Sequence, residues 1–143
     1  MIASSLLQTP TPPWIIRSDQ SLQNLLDQIR HNVSNAHIVV LDGSNMINYK
    51  GLYREFSEKL EFPDYFGHNL NAWVECLTDL DWLDKHNYVL IITDSGQLLS
   101  EKPDEKDALL DDLMEVCEEW SKPVNLGESW DRDAVPFHVI LLA

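Results

Sequence analysis

The chain has 143 residues, 44% of them hydrophobic, with five tryptophans. That is enough for one domain with a core of its own, and too apolar for a disordered chain. The formal net charge of −14 is one-sided: residues 1–60 hold five Lys/Arg and five Asp/Glu, whereas residues 61–143 hold five against nineteen. Such a surface disfavours direct nucleic-acid binding, which needs basic phosphate contacts, and favours a basic protein partner. Acidity for solubility alone is the plainer alternative.

Residues 1–13 end in Thr9-Pro10-Thr11-Pro12-Pro13, which predicts an extended or mobile lead. No basic segment precedes Ile2–Leu7, so no secretory signal is expected. Residues 14–36 read as an extension made of a strand, Trp14–Arg17, and a helix. Ser18 or Asp19 is the expected cap of that helix, and Leu22, Leu25, Leu26 and Ile29 its apolar face. His37–Asp42 is the next strand, so the order strand, helix, strand implies a crossover connection. Gly43-Ser44-Asn45 is a turn. A helix over about 48–60 carries Leu52, Phe56 and Leu60 on one face, with Tyr49 and Tyr53 beside them.

Pro63 and Gly67 then punctuate a tight loop, and Asn69 is placed to cap a helix reaching about Leu80. Its apolar face is Leu70, Trp73, Val74, Leu77 and Leu80. Asn71, Glu75 and Asp79, four residues apart, align on the opposite face. Tyr65 sits in the loop just ahead of this polar stripe, and together they form a candidate binding face. Tyr88–Ile92 is a continuous apolar run, the pattern of a strand covered on both faces. An acidic helix from Asp104 to about Trp120 follows, with Leu109, Leu113, Val116 and Trp120 facing inward. Pro123–Pro136 is a loop and Phe137–Leu142 a closing strand. Strands separated by helices imply an α/β layer with a mostly parallel sheet.

The run Pro63-Asp64-Tyr65-Phe66-Gly67-His68-Asn69-Leu70-Asn71-Ala72-Trp73 resembles the signature loop and helix of the barstar family, inhibitors of barnase-type ribonucleases. That family's pattern is Pro, an acid, Tyr, Tyr or Phe, Gly, any residue, then Asn-Leu-Asp-Ala and Leu or Trp. The resemblance extends more weakly from about residue 37 to the C-terminus and does not cover residues 1–36. It implies a three-stranded parallel sheet packed by helices over 37–143, to which residues 14–36 would add a strand and a helix. It also implies that Tyr65, Asn69 and the helix acid Glu75 correspond to residues that enter a basic nuclease cleft in place of RNA phosphates. Glu115, placed by the register of Leu109, Leu113 and Val116, corresponds to a further partner-facing glutamate. Three positions depart from the pattern: Asn71 stands where the family has aspartate, Glu75 is a methylene longer than the usual acid, and Val74 replaces an aromatic.

Little else carries chemistry. The five glycines form no phosphate loop, no serine sits in a nucleophile elbow, and the five histidines show no metal-ligand spacing. His37 and His138 are expected at the edge or surface. Asp111-Asp112 and Glu118-Glu119 point to different helix faces and read as solvated. Cys76 and Cys117 are expected to be buried free thiols of a reducing compartment. No run approaches the roughly 18 apolar residues of a membrane span. The expectation is therefore a cytoplasmic inhibitor or immunity protein without a cofactor, not an enzyme, that binds a basic ribonuclease or nuclease-toxin domain 1:1. Tyr65, Asn69, Asn71, Val74, Glu75, Asp79 and Glu115 form the expected partner face. A regulator of the same fold with a non-nuclease partner is the alternative.

Overall fold

A computed structural model describes residues 4–143. The elements in order are α1 (Ser4–Leu7), β1 (Ile15–Ser18), α2 (Leu22–Asn32), β2 (His37–Asp42), α3 (Tyr49–Lys59), α4 (Leu70–Asp79), β3 (Tyr88–Thr93), α5 (Lys106–Trp120) and β4 (Phe137–Leu142). The four strands form one parallel sheet in the order β1-β4-β3-β2. The three strands expected over 37–143 are present, and β1 adds a fourth beside β4. The crossover from β1 through α2 does not join neighbours, because β1 and β2 lie at opposite edges of the sheet.

Alternation of side chains along the strands divides the interior in two. Leu90, Ile92, Val139 and Leu141 face a large core built with α3, α4 and α5. Val89, Ile91, Ile140 and Leu142 face a smaller one closed by Leu7 of α1 and by Leu25 and Ile29 of α2. β3 and β4 are therefore buried on both sides, as their unbroken apolar runs require.

Several local expectations need correction. Residues 4–7 are not part of an extended lead. Ser4–Leu7 is a helical turn, Leu7 is buried, and its carbonyl accepts from Asn87 Nδ2 at 2.9 Å. Residues 1–3 of that segment lie outside the described residues. The cap of α2 is Ser21, which accepts from the Asn24 N–H at 3.1 Å. Ser18 ends β1 instead and accepts from the Gln20 N–H. Asp104 does not begin α5: Pro103–Glu105 forms a 3₁₀ turn, and the α-helix starts at Lys106.

His138 is also not at the surface. It is fully buried on β4, tilted against Trp14 with ring centroids 5.6 Å apart. Its Nε2 lies 3.1 Å from the Thr11 carbonyl, which can only accept, so Nε2 carries the proton. Nδ1 has no partner among the described residues. Burial holds the imidazole below its ordinary 6.5, against a smaller opposing effect of the Thr11 bond. The unfolded chain then binds a proton that the folded one refuses. This contribution to stability is complete above about pH 6.5 and is lost as pH falls below it. The urea midpoint of the wild type should thus drop more between pH 7.5 and 5.5 than that of His138→Gln. Parallel profiles would refute the assignment.

Candidate functional site

The segment between α3 and α4 is held by aromatic side chains. Phe62 and Phe66 are buried and meet edge to face at 5.0 Å, Phe66 meets Tyr53 in the same way at 5.7 Å, and the His68 ring lies 4.8 Å from Phe66. The Phe66 N–H closes a turn onto the Pro63 carbonyl at 3.0 Å. Glu61 and His68 take left-handed backbone angles, φ 56° and 51°, and bracket the loop. Such conformations persist where the surroundings fix them. With Phe62 and Phe66 turned inward, Tyr65 between them is turned out, and it is 76% exposed.

The loop leads into α4 through Asn69, whose Oδ1 accepts from the Ala72 N–H at 2.9 Å while its Nδ2 donates to the Gly67 carbonyl at 3.2 Å. Asn69 is exposed, but both ends of its amide are engaged in shaping the loop and capping the helix. Trp73 and Leu77 are fully buried beneath the helix, and Trp120 of α5 donates from Nε1 to the Leu77 carbonyl at 2.8 Å. This bond locks α5 beside α4. Leu80 ends the helix with φ 46°, a conformation usually left to glycine, and its side chain is buried.

Asn71, Glu75 and Asp79 are all exposed on the outer face of α4, as their spacing predicts. Val74 is half-buried against the main core, so it offers this face only part of its surface. Glu115 is exposed on the neighbouring α5. Among the described residues none of these acids forms an ion pair within 4 Å. Asp79 stands at the last position of α4, where the helix dipole disfavours a negative charge.

The face can accept hydrogen bonds and offer an aromatic ring. Burial pushes the Cys117 thiol up to about 12, and burial followed by Asp79 and Glu75 raises that of Cys76, so neither is held as a thiolate. Among the described residues no group of three or more His, Cys, Asp or Glu side chains is arranged to hold a metal ion, and no helix is long and apolar enough to cross a membrane.

Two features of the Pro123–Pro136 loop lie near α4 without a sequence pattern that assigns them a role. Arg132, from the loop before β4, lays its guanidinium 3.6 Å over the Trp120 ring and donates from Nη1 to the Thr78 carbonyl at 2.9 Å. Trp130, two residues earlier, is 64% exposed. A cation two places after an aromatic in a loop has no periodicity to reveal it.

The α/β sheet thus carries an exposed loop tyrosine beside a polar stripe on the following helix. The family model described as Barstar (barnase inhibitor) matches residues 36–141, and the chain belongs to that family. It is also similar to "Putative ribonuclease inhibitor YrdF" of Bacillus subtilis (strain 168), with 41% identity over 46 residues, 32% of this chain and 48% of that protein. The similarity thus spans about half the length of that relative.

Proposed function

We propose that this protein is a cytoplasmic inhibitor or immunity protein that occludes the basic active site of a barnase-type ribonuclease or nuclease toxin in a 1:1 complex. It needs no cofactor and catalyses nothing itself. The observation that carries this reading is the pairing of Tyr65, held outward by two buried phenylalanines, with the unpaired acids of α4. A fixed aromatic beside carboxylates offers a basic cleft both contact area and charge with little ordering cost. Family membership and the resemblance to a ribonuclease inhibitor support the choice of partner. Glu75 and Tyr65 are the main contacts. Asp79 and Glu115 extend the charged surface, Asn69 sets the loop, and Asn71 and Val74 adjust shape and charge. Asn71 in place of aspartate and Val74 in place of an aromatic favour a cleft shaped differently from that of the nuclease blocked by the best-known member.

The test is inhibition of RNA cleavage across a panel of basic ribonucleases and nuclease-toxin domains. Wild type should abolish cleavage by at least one of them. Glu75→Ala and Tyr65→Ala should each weaken that inhibition about tenfold or more, the loss typical of a charge-assisted bond or an aromatic anchor. Thermal unfolding should be almost unchanged in both. Failure to inhibit any nuclease would turn attention to a non-nuclease partner, and unfolding of the variants would make the two residues structural.

A further inference from the structure

The far end of α4 opens into a groove of about 1020 Å³, walled on its other side by the loop before β4. The loop is built, not slack. Val124 and Arg132 exchange backbone hydrogen bonds at 2.8 and 3.1 Å, and the Val135 N–H donates to the Trp120 carbonyl at 2.8 Å. The Asp131 carboxylate accepts from the Leu126 and Gly127 N–H groups at 2.9 and 2.8 Å. Gly127, at φ 76°, supplies the backbone angle this turn needs. Arg132 then fastens the loop to α4 and α5 through Thr78 and Trp120. A segment this well fixed could have turned Trp130 inward, yet it holds the indole 64% exposed on the groove wall.

Charge identifies the occupant. Asp79, Asp81, Asp84, Asp131 and Asp133 line the groove, and none forms an ion pair within 4 Å among the described residues. Of the two full cations present, Arg132 is already committed to Trp120 and Thr78, which leaves Lys85. Buried apolar side chains, among them Leu80, Tyr88 and Val135, also contribute to the lining. Asp131 is engaged by the loop's own N–H groups, but an exposed indole near Asp79, Asp81, Asp84 and Asp133 suits lysine or arginine side chains, which take both a cation–π contact and a charge-assisted bond.

We infer that this groove is a second docking site, in which the Trp130 loop receives a Lys/Arg-bearing segment of the partner protein outside its active site. The inference rests on the proposed function and deepens it, because Asp79 belongs both to the α4 stripe and to the groove. The stripe would block the cleft, while the loop adds affinity and selects among partners with similar clefts.

Two arms separate this inference from the function it rests on. In the first, the isotope-labelled full chain is titrated with an arginine-rich decapeptide blocked at both ends, and NMR shifts are followed. The Trp130 indole N–H and the amides of residues 79–84 and 129–134 should shift most. Asp133→Lys should weaken binding at least fivefold, whereas Asp27→Lys on α2, an equal change of net charge on the other side of the sheet, should change it less than twofold. Equal losses in both variants, or shifts spread over the whole acidic surface, would overturn the inference whichever nuclease is inhibited. In the second arm, Trp130→Ala should weaken inhibition of the susceptible nuclease about tenfold with unfolding unchanged. Undiminished inhibition would leave the α4 face as the inhibitor and remove the second site.

Discussion

A chain beginning at residue 37 is expected to lose most of its stability, although it retains β2, β3, β4 and the helices that carry the candidate site. Removing residues 1–36 takes away β1 and the α2 layer and uncovers Val89, Ile91, Ile140 and Leu142 on one whole face of the sheet. Each aliphatic side chain returned to water costs roughly 1.5–3 kcal/mol, so the four together cost at most about 6–12 kcal/mol. A domain of this size is stable by only about 5–15 kcal/mol. β4 would also become an edge strand with unpaired backbone groups, an invitation to aggregate. Urea unfolding followed by circular dichroism should show a weak or uncooperative transition for the truncated chain. A sharp transition at the full-length midpoint would mean that the N-terminal layer is dispensable.

The second large effect is local. Trp73→Ala should destabilise the protein by about 3–5 kcal/mol, the usual cost of emptying a fully buried aromatic site. Trp73 is wholly buried, lies edge to face with Phe56 at 5.2 Å, and sits directly beneath the polar stripe of α4. Its indole Nε1 has no hydrogen-bond partner among the described residues. That distinguishes it from Trp120 and Trp82, whose Nε1 atoms donate to the Leu77 and Leu60 carbonyls, each at 2.8 Å. Trp73→Phe should therefore cost clearly less than Trp73→Ala, because it removes an unsatisfied buried donor along with part of the ring. Calorimetric unfolding of both variants checks the order. Equal losses would mean that the indole N–H is satisfied or that the pocket cannot close around phenylalanine.

The contrast between these residues and the surface ones shows what a sequence exposes to reading. The strands over 37–42, 88–93 and 137–142, the helix faces and the Asn69 cap were legible because each obeys a local rule of periodicity or turn chemistry. So was the outward stripe of Asn71, Glu75 and Asp79, which follows from the helical repeat alone. Tyr65 was legible through the motif around it, and in the structure it is exposed while Phe62 and Phe66, which precede and follow it in the loop, are buried against each other.

What stayed hidden depends on contacts distant in sequence. Glu55 looks like an ordinary surface acid of α3, yet it is buried and accepts from the Asp42 N–H at 2.7 Å, beside the end of β2. His138 is enclosed by Thr11 and Trp14, more than a hundred residues away. Leu7 is fixed by Asn87 in the same manner. The Trp130 loop has the irregular composition of any connector, and bonds within it together with the packing of Arg132 on Trp120 make it a wall beside α4. In each case the decisive partner lies outside any window that periodicity can see.

The most direct measurement of the central claim is a calorimetric titration of this protein into a susceptible ribonuclease, with and without a saturating, non-cleavable RNA oligonucleotide in the active site, at low and high salt. If Tyr65 and the α4 acids occupy the substrate cleft, binding should be 1:1, weaken as salt rises, and fall further when the oligonucleotide is present. Affinity untouched by the oligonucleotide would place the protein elsewhere on the nuclease and contradict the account.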